Sequence, residues 1–291
     1  MLSKLSKILI YFIVLLVSLF CLLPFIMIVT GSISNEQDIA KYGYTLLPKH
    51  IDLISYRVLL LDIKSIANSY KISMIVTIAG TLASLLVNTM MAYAISRKTL
   101  KYRKALSVYA LITILFNGGM VPWYIVCVNY LHLKDKLIAL IIPYLANAWY
   151  IFLLRNFVQT IPDAMHESAK IDGAGEYTIF FKIILRLMTP ALATVGLFTA
   201  LGYWNDWWLG LMLIDKTQLQ PLQLLLRAIV SNIMFLKAST NAAAMQALIV
   251  TLPSEGIKMA ICVITIGPII FLYPFLQKYF VKGIMIGAVK G

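Results

Sequence analysis

Long apolar stretches without charged residues alternate along the chain with shorter polar stretches. Five runs hold no Asp, Glu, Lys or Arg: Ile8–Thr30, Ile72–Ser96, Ala105–Leu133, Leu137–Leu154 and Met259–Gln277. A helix rises 1.5 Å per residue, so about 20 apolar residues cross the roughly 30 Å of hydrocarbon in a bilayer. These runs therefore predict membrane-spanning helices.

A sixth apolar run, Leu187–Ile214, is interrupted only by Asp206. One central acid costs roughly 2.5–3.5 kcal/mol on the insertion scale, which the Leu, Phe, Val and Trp content of the run outweighs. The pattern predicts an all-α, polytopic membrane protein in which residues 1–291 form a single domain with six spans. The predicted spans are about 8–30, 72–96, 105–131, 137–155, 189–214 and 256–281.

Composition supports lipid as the solvent of this chain. Hydrophobic residues make up 61% of the sequence and charged residues 13%, against about 45–50% and about 25% in soluble domains. Such a balance excludes an ordinary soluble enzyme and a disordered chain. The formal net charge of +13 is compatible with nucleic acid, anionic lipid or an acidic partner.

The position of the charges decides among these partners. Of the 25 Lys and Arg residues, 14 fall in the N-terminus, the second and fourth loops and the C-terminus, and the densest cluster is Arg97–Lys104. By the positive-inside rule, both termini are predicted to be cytoplasmic. No segment gathers basic residues and exposed aromatics on a soluble face, so nucleic acid is not an expected partner.

The fourth loop, residues 156–188, is the only sizeable connection on the predicted cytoplasmic side. Pro162 and Asp163 suit a helix start, and Gly173 suits the residue just after a helix end. We expect a short helix over residues 163–173 and a second over Tyr177–Leu187. Ala164, Glu167, Ser168 and Ile171 share one face by helical spacing, which is typical of a docking element.

The same loop carries a motif. Its spacing resembles the signature of ABC importer membrane subunits: Glu-Ala-Ala, three residues, Gly, nine residues, Ile, one residue, Leu-Pro. The matching positions are Glu167, Ala169, Gly173, Ile183 and Leu185. Two positions depart, because Ser168 replaces an Ala and Arg186 replaces the Pro. Arg186 implies an exit from the second loop helix that is less kinked than in relatives with Pro at this position.

Further segments narrow the resemblance. The run 171–174 (Ile-Asp-Gly-Ala) and the C-terminal segment Phe280–Gly291 are similar to the carbohydrate-uptake branch that includes the maltose transporter's membrane subunits. Phe116–Pro122 and Leu154–Phe157 resemble the Gram-positive subfamily that imports oligosaccharides cut from polysaccharides.

This resemblance implies a type I ABC importer permease fold in the bacterial cytoplasmic membrane, with the loop helix seated on a separate ATPase. The implied ATPase-coupling residues are Met165, Glu167, Ser168, Ala169, Asp172, Gly173 and Ala174. Gly287, Lys290 and Gly291 are the implied C-terminal tail contact.

The implied partners are a sister permease forming a heterodimer, two copies of a cytoplasmic ABC ATPase, an extracellular solute-binding lipoprotein and an oligosaccharide. The sequence has no Gly-x-x-x-x-Gly-Lys followed by Ser or Thr, which is the phosphate-binding loop of many ATPases. We therefore expect no enzyme activity and no cofactor or metal bound by this chain, with ATP and Mg held by the partner ATPase.

The fifth predicted span holds an unusual polar and aromatic cluster. Asp206 falls near the bilayer midplane, where an acid is expected to face protein or water. Indole rings stack well on sugar rings, and polar side chains near them bind hydroxyl groups. The candidate substrate-path residues are Trp204, Asn205, Asp206, Trp207, Trp208 and, in the fourth span, Asn147.

Two alternatives remain open for this cluster and for the function. The indoles can instead form an aromatic belt or an interface with the sister subunit, with Asp206 capping a neighbouring helix. A secondary transporter or channel using Asp206 is the alternative function. His50, His132 and His166 are expected in loops or at a helix end, which argues against an intramembrane hydrolase.

Overall fold

A computed structural model describes residues 4–238 and 253–267. This part of the chain is helical, and its β structure consists of one isolated bridge between Ser34 and Ile51. It divides into two compact units, residues 4–66 with 225–238 and 253–267, and residues 67–224.

The first unit is organised around the carboxylate of Glu36. Its helices are α1 (Lys4–Ser32), α2 (Glu36–Tyr42), α3 (Ile54–Leu60) and a helix over residues 254–267. The backbone N–H groups of Glu255 and Gly256 donate to Glu36 at 3.1 Å, and the Ser254 hydroxyl donates at 3.0 Å. A carboxylate at this position satisfies the N–H groups that a helix start leaves free.

The second unit begins within the longest helix of the described residues. In chain order, its helices are α4 (Ile63–Ser96), α5 (Arg103–Leu115), α6 (Met120–Ile125), α7 (Ala148–Val158), α8 (Asp163–Ile171), α9 (Glu176–Thr178), α10 (Leu185–Leu187), α11 (Thr189–Trp204) and α12 (Trp208–Leu213). A further helix, α13 (Leu222–Ala238), begins at the end of this unit and belongs mostly to the first one. π-Helical turns at Val126–Tyr130 and Ile179–Ile184 extend α6 and join α9 to α10, and 3-10 turns cover Leu137–Leu140, Ile142–Tyr144 and Thr217–Leu219.

Two apolar clusters pack along α4 in this unit. The first joins the C-terminal turns of α4 to α7, α8 and the segment that leads into α11. The second joins its N-terminal half to α12 and the 3-10 turn before Ile141. Gly80 allows the close approach of α11, because a Cβ atom there would lie 2.7 Å from the buried Tyr203 ring.

The number of spans can be compared with the prediction only for the described residues. There, Ser6–Ser32 and Ile63–Ser96 are long and apolar enough to cross a membrane, and three bent helix pairs raise the number to five if each is one span. The predicted span 256–281 is described only as far as residue 267. Six spans and a single domain stay predictions.

Helix breaks are the main difference from the predicted spans. The predicted span 105–131 bends by 118° between Leu115 and Met120, where Gly119 has φ +86°. The span 137–155 bends by 55° before α7. The predicted span 72–96 belongs to a helix that begins earlier, at Ile63. Lys64 and Lys71 end the charge-free run but lie within this helix.

The exit of the loop is bent as well. The segments Glu176–Leu187 and Thr189–Trp204 meet at 81°. The expected effect of Arg186, an exit less kinked than in relatives, stays a prediction. Pro190 lies in the first turn of α11, where its missing N–H is tolerated and where it prevents the preceding helix from continuing.

Candidate functional site

The predicted docking helix is present as α8, and the backbone fixes both of its ends. Pro162 precedes the helix, and Asp163 occupies its first turn. At the other end, Gly173 has φ +81°. The N–H of Gly173 donates to Lys170 and that of Ala174 to Ala169, at 3.0 and 2.9 Å, which is the Schellman arrangement. The chain therefore turns away sharply after Asp172.

α8 has one buried face and one exposed face. His166 and Ala169 are 4% and 7% exposed. The four residues predicted to share the docking face, Ala164, Glu167, Ser168 and Ile171, are all exposed, and Ile171 is 87% exposed. Of the other implied coupling residues, Met165, Asp172 and Gly173 are exposed and Ala174 is half-buried. Ala169 therefore lies on the buried face of α8 and does not face outward.

A network of hydrogen bonds holds α8 against the rest of the second unit. Arg97 Nη2 lies 2.9 Å from His166 Nδ1, and His166 Nε2 lies 3.1 Å from Glu176 Oε2. Tyr93 donates to the same Glu176 oxygen at 2.6 Å, and Lys170 Nζ lies 2.9 Å from Glu176 Oε1. The Glu176 carboxylate thus joins α4, α8 and α9.

A second ion pair holds the N-terminus of α8. Lys98 Nζ lies 3.2 Å from Asp163 Oδ2, and Arg97 Nη1 lies 4.0 Å from Asp163 Oδ1. Both partners of the shorter pair are exposed, so the pair contributes little stability by itself. Its effect is to keep the loop after α4 next to the start of α8.

The surroundings of Glu176 shift its pKa. Partial burial opposes ionisation, but hydrogen bonds from Tyr93, Lys170 and His166 outweigh burial and lower the pKa to about 2 from the ordinary 4.5. A carboxylate that accepts several hydrogen bonds is stabilised in its charged form. Glu176 is therefore ionised over the whole physiological pH range.

The predicted fifth span does not run as one helix. α11 ends at Trp204, and α12 begins at Trp208. Asp206 lies in the break, where its Oδ2 accepts the N–H of Leu209 at 3.1 Å and its Oδ1 accepts the hydroxyl of Tyr144 at 3.1 Å. Both carboxylate oxygens therefore stabilise the break, and Asp206 caps α12.

The break also separates residues that a continuous helix would align. Their spacing of four residues predicts one stripe of Gly202, Asp206 and Gly210 along a continuous helix. This stripe does not form, since Gly202 is exposed and Gly210 is buried against Pro221.

The three indoles of this cluster have different surroundings. Trp204 is 6% exposed and packs on Tyr70, with 6.0 Å between ring centroids. Trp208 is half-buried and packs on Trp123 at 4.5 Å. Trp207 is half-buried and Asn205 is exposed.

Asn147 lies apart from the indoles, beside a cavity. The cavity has a volume of about 200 Å³ and is lined by Pro143, Tyr144, Ala146, Asn147, Tyr150, Phe198, Thr199, Gly202 and Tyr203. Asn147 Oδ1 caps α7 by accepting the N–H groups of Trp149 and Tyr150 at 2.9 and 3.3 Å. Because Tyr144 also binds Asp206, the cavity and the break in the fifth span are adjacent.

Several residues of both sites were missed by sequence reasoning. His166 lies in the middle of α8 and is buried, not in a loop or at a helix end. The spacing of His166 and Ala169 was the available signal, since residues three apart share a helix face. Nothing in the sequence pairs Arg97 with His166, or Trp123 with Trp208, across such separations.

Two predicted features have a limited structural description. Gly287, Lys290 and Gly291 lie outside the described residues. Within residues 4–238 and 253–267, no three His, Cys, Asp or Glu side chains are grouped so that they could hold a metal ion.

The family comparison covers both sites. The profile of the family described as "Binding-protein-dependent transport system inner membrane component" matches residues 105–286. Within this range lie the whole of α8 and the break between α11 and α12.

Similar proteins are found among curated and solved ones. The chain is 38% identical to the polygalacturonan/rhamnogalacturonan transport system permease protein YtcP of Bacillus subtilis, over 99% of both chains. It is 27% identical to the arabinooligosaccharides transport system permease protein AraQ of Halalkalibacterium halodurans, over 92% of this chain and 91% of that one.

A solved structure of similar fold is the crystal structure of a bacterial ABC transporter involved in the import of the acidic polysaccharide alginate. The TM-score is 0.79 at 30% sequence identity, and the match covers 96% of this chain and 99% of that chain.

The low pKa of Glu176 makes a prediction about acid stability. Its folded-state pKa lies below the ordinary value, so its hydrogen bonds stabilise the fold fully above about pH 4.5 and cease to do so as the pH falls toward 2. Thermal unfolding of the protein in lipid nanodiscs, measured from about pH 6 to pH 3, should show a falling midpoint that Glu176→Gln flattens.

The matched control is Glu167→Gln, which changes an exposed glutamate of the same loop. Glu167→Gln should keep the wild-type pH dependence. If Glu176→Gln keeps the wild-type fall of the unfolding midpoint in acid, that fall does not come from the hydrogen bonds of Glu176.

Proposed function

Because the chain belongs to the family of binding-protein-dependent transport system inner membrane components, we propose that it is one membrane subunit of an ATP-driven importer of oligosaccharides. As a permease component, it is a transporter subunit and not a catalytic one. Its place is the bacterial cytoplasmic membrane, and its system includes a substrate-binding protein, an ATPase and a second permease.

The proposed substrates are breakdown products of polysaccharides. Support comes from the printed names of similar proteins, which cite polygalacturonan and rhamnogalacturonan, arabinooligosaccharides and alginate. These substrates are all glycan chains, but their sugar units differ in charge and size. The shared chemistry, a chain of hydroxyl-rich rings, defines the substrate class.

The proposed assembly is this chain, one sister permease, two copies of a cytoplasmic ATPase and an extracellular solute-binding lipoprotein. ATP and Mg are bound by the ATPase, and this chain binds no cofactor. In this assembly, α8 transmits the motion of the ATPase to the membrane helices. The segment that contains Gly287, Lys290 and Gly291 is proposed as a further contact with the ATPase.

The exposed face of α8 is the observation that carries this proposal. Met165, Glu167 and Ile171 present one charged and two apolar side chains outward. The opposite face of α8 is buried, and its contacts hold the helix in place. A rigid helix with an exposed mixed face suits docking into a cleft, since apolar contacts supply binding energy and the charge supplies orientation.

Reversing the charge on this face tests the docking role. Glu167→Lys should leave the protein in the membrane but detach the ATPase, because a charge that loses its partner at a partly buried interface typically costs several kcal/mol. Pull-down of the ATPase with the membrane subunits measures attachment, and uptake of oligosaccharides from partly hydrolysed polygalacturonan measures transport.

Two controls separate docking from general damage. Asp62→Lys makes the same charge change at an exposed residue on the predicted outer side and should keep the ATPase attached. Gly173→Ala should strain the left-handed end of α8 by about 1–2 kcal/mol, whereas Gly175→Ala adds a methyl group to an ordinary backbone with open space around it. Normal attachment and uptake in Glu167→Lys would overturn the docking role.

We place the substrate path along the cavity beside the break between α11 and α12. Tyr144, Asn147 and Gly202 line this cavity. Trp207 lies in the break, and Trp208 begins α12. Both are half-buried, so part of each indole ring is exposed for stacking on sugar rings. Trp204 is buried and both carboxylate oxygens of Asp206 accept hydrogen bonds within the protein. We therefore assign these two residues to the structure that surrounds the path and not to direct contact with the sugar. Asn205 is exposed at the break and completes the proposed set.

Asp206 distinguishes the importer from a proton-coupled secondary transporter. If Asp206 mainly caps α12, Asp206→Asn should keep uptake, because Asn is also a good N-cap, whereas Asp206→Ala should cost about 0.5–2 kcal/mol of stability. Uptake by the reconstituted complex is measured with and without ATP and with and without a proton gradient, and thermal unfolding measures the stability of Asp206→Ala. Proton-driven uptake without ATP that Asp206→Asn abolishes would support the secondary transporter instead.

A further inference from the structure

His166 is a buried polar side chain inside an otherwise exposed helix. Its ring is 4% exposed and both of its nitrogens have partners, Arg97 at 2.9 Å and Glu176 at 3.1 Å. A buried histidine with two directional contacts has a fixed ring orientation. The position therefore does more than fill space between α8 and its neighbours.

The partners determine the direction of each hydrogen bond. A guanidinium group can only donate, so Nδ1 of His166 must accept from Arg97. The proton of the neutral ring then sits on Nε2 and is donated to the Glu176 carboxylate. The result is a chain of hydrogen bonds that runs in one direction, from Arg97 through His166 to Glu176.

This chain joins three parts of the second unit. Arg97 directly follows α4, His166 lies in the middle of α8, and Glu176 begins α9. A nine-residue helix is not stable alone in water, so contacts with its neighbours must fix it. Ala169, the other buried residue of α8, has only a methyl group and cannot resist rotation about the helix axis.

We propose that His166 is a positioning residue that fixes the rotation of α8 about its own axis. The inference rests on the proposed function, in which the exposed face of α8 docks on the ATPase. With His166 in place, Glu167 and Ile171 point away from the buried face in one defined orientation. Without its hydrogen bonds, the same side chains still reach the ATPase, but the helix turns under load.

Attachment and coupling therefore respond to different residues. Glu167 makes the contact, so its reversal removes the ATPase. His166 makes no outward contact, so its replacement leaves the ATPase attached and weakens the transmission of motion. ATP hydrolysis then no longer responds to the sugar-loaded binding protein.

Two replacements of similar size test whether the hydrogen bonds or the volume matter. His166→Leu fills the space but can neither accept from Arg97 nor donate to Glu176. His166→Gln carries one carbonyl oxygen and one amide N–H group, so it can make both bonds. A purely packing role would be preserved by Leu, whereas a positioning role would be rescued by Gln.

The measurement uses the whole reconstituted complex with its binding protein and oligosaccharides from partly hydrolysed polygalacturonan. His166→Leu should keep the ATPase attached and lower the sugar-stimulated ATPase rate by about fivefold or more. His166→Gln should stay within about twofold of the wild-type rate. His50→Leu, the same change at an exposed histidine of the first unit, should behave as wild type.

Changes at Arg97 provide a second route that leaves His166 in place. Arg97→Met, which cannot donate to His166, should also lower sugar stimulation. The double variant with His166→Leu should lose less than the sum of the two single losses, because both changes break the same hydrogen bond. Additive losses would overturn the proposal. So would full stimulation in His166→Leu, or equal losses in His166→Leu and His166→Gln.

The failure of this inference can be told apart from that of the proposed function. If wild type is stimulated by sugar and Glu167→Lys detaches the ATPase while His166→Leu behaves as wild type, only the positioning role is wrong. If Glu167→Lys keeps the ATPase attached and active, the docking assignment fails and the positioning role fails with it.

Discussion

Backbone N–H groups at a helix start need acceptors, and in an apolar environment water cannot supply them. The second unit of this protein meets that constraint with side chains placed at its helix breaks. Asn117 accepts the N–H of Gly119, Asn147 caps α7, and Asp206 caps α12. At these three breaks, an Asn or Asp side chain accepts a backbone N–H group of the segment that follows. Tyr144 lines the cavity beside the fifth span and donates a hydrogen bond to Asp206 at the break.

The same principle is applied with charge at the loop. The Glu176 carboxylate accepts hydrogen bonds from Tyr93, His166 and Lys170. These hydrogen bonds lower the pKa of Glu176. The network holds one face of α8, which leaves the opposite face free for another protein. In α8 and its C-terminal turn, the motif positions Glu167 and Gly173 are exposed and Ala169 is buried. The side chains that form the hydrogen-bond network lie outside the motif. Docking and positioning are thus separate tasks of neighbouring residues.

The helical class and the loop helix could be predicted because they depend on local patterns. Charge-free runs identify apolar helices, and Gly173 marks a left-handed helix end. The family resemblance based on Glu167, Ala169 and Gly173 is confirmed by the match over residues 105–286. The breaks at Gly119 and Asp206 were not predicted, because hydrophobicity averaged over a window does not register one polar cap. The bonds of His166 were missed because they join residues 69 and 10 positions apart, and their geometry exists only in the folded chain.

Site-specific photo-crosslinking tests the central claim, that the outward face of α8 contacts an ATPase. In a chain without Cys21, Cys127 and Cys262, a single cysteine at Ser168 or at Asp62 is labelled with a photoreactive maleimide before the ATPase is added, and the transporting complex is then assembled. The account predicts a crosslink to the ATPase from position 168, which is exposed on α8, and none from position 62, which is exposed on the predicted outer side. A transporting complex that gives no crosslink from position 168, or an equal one from position 62, would contradict it.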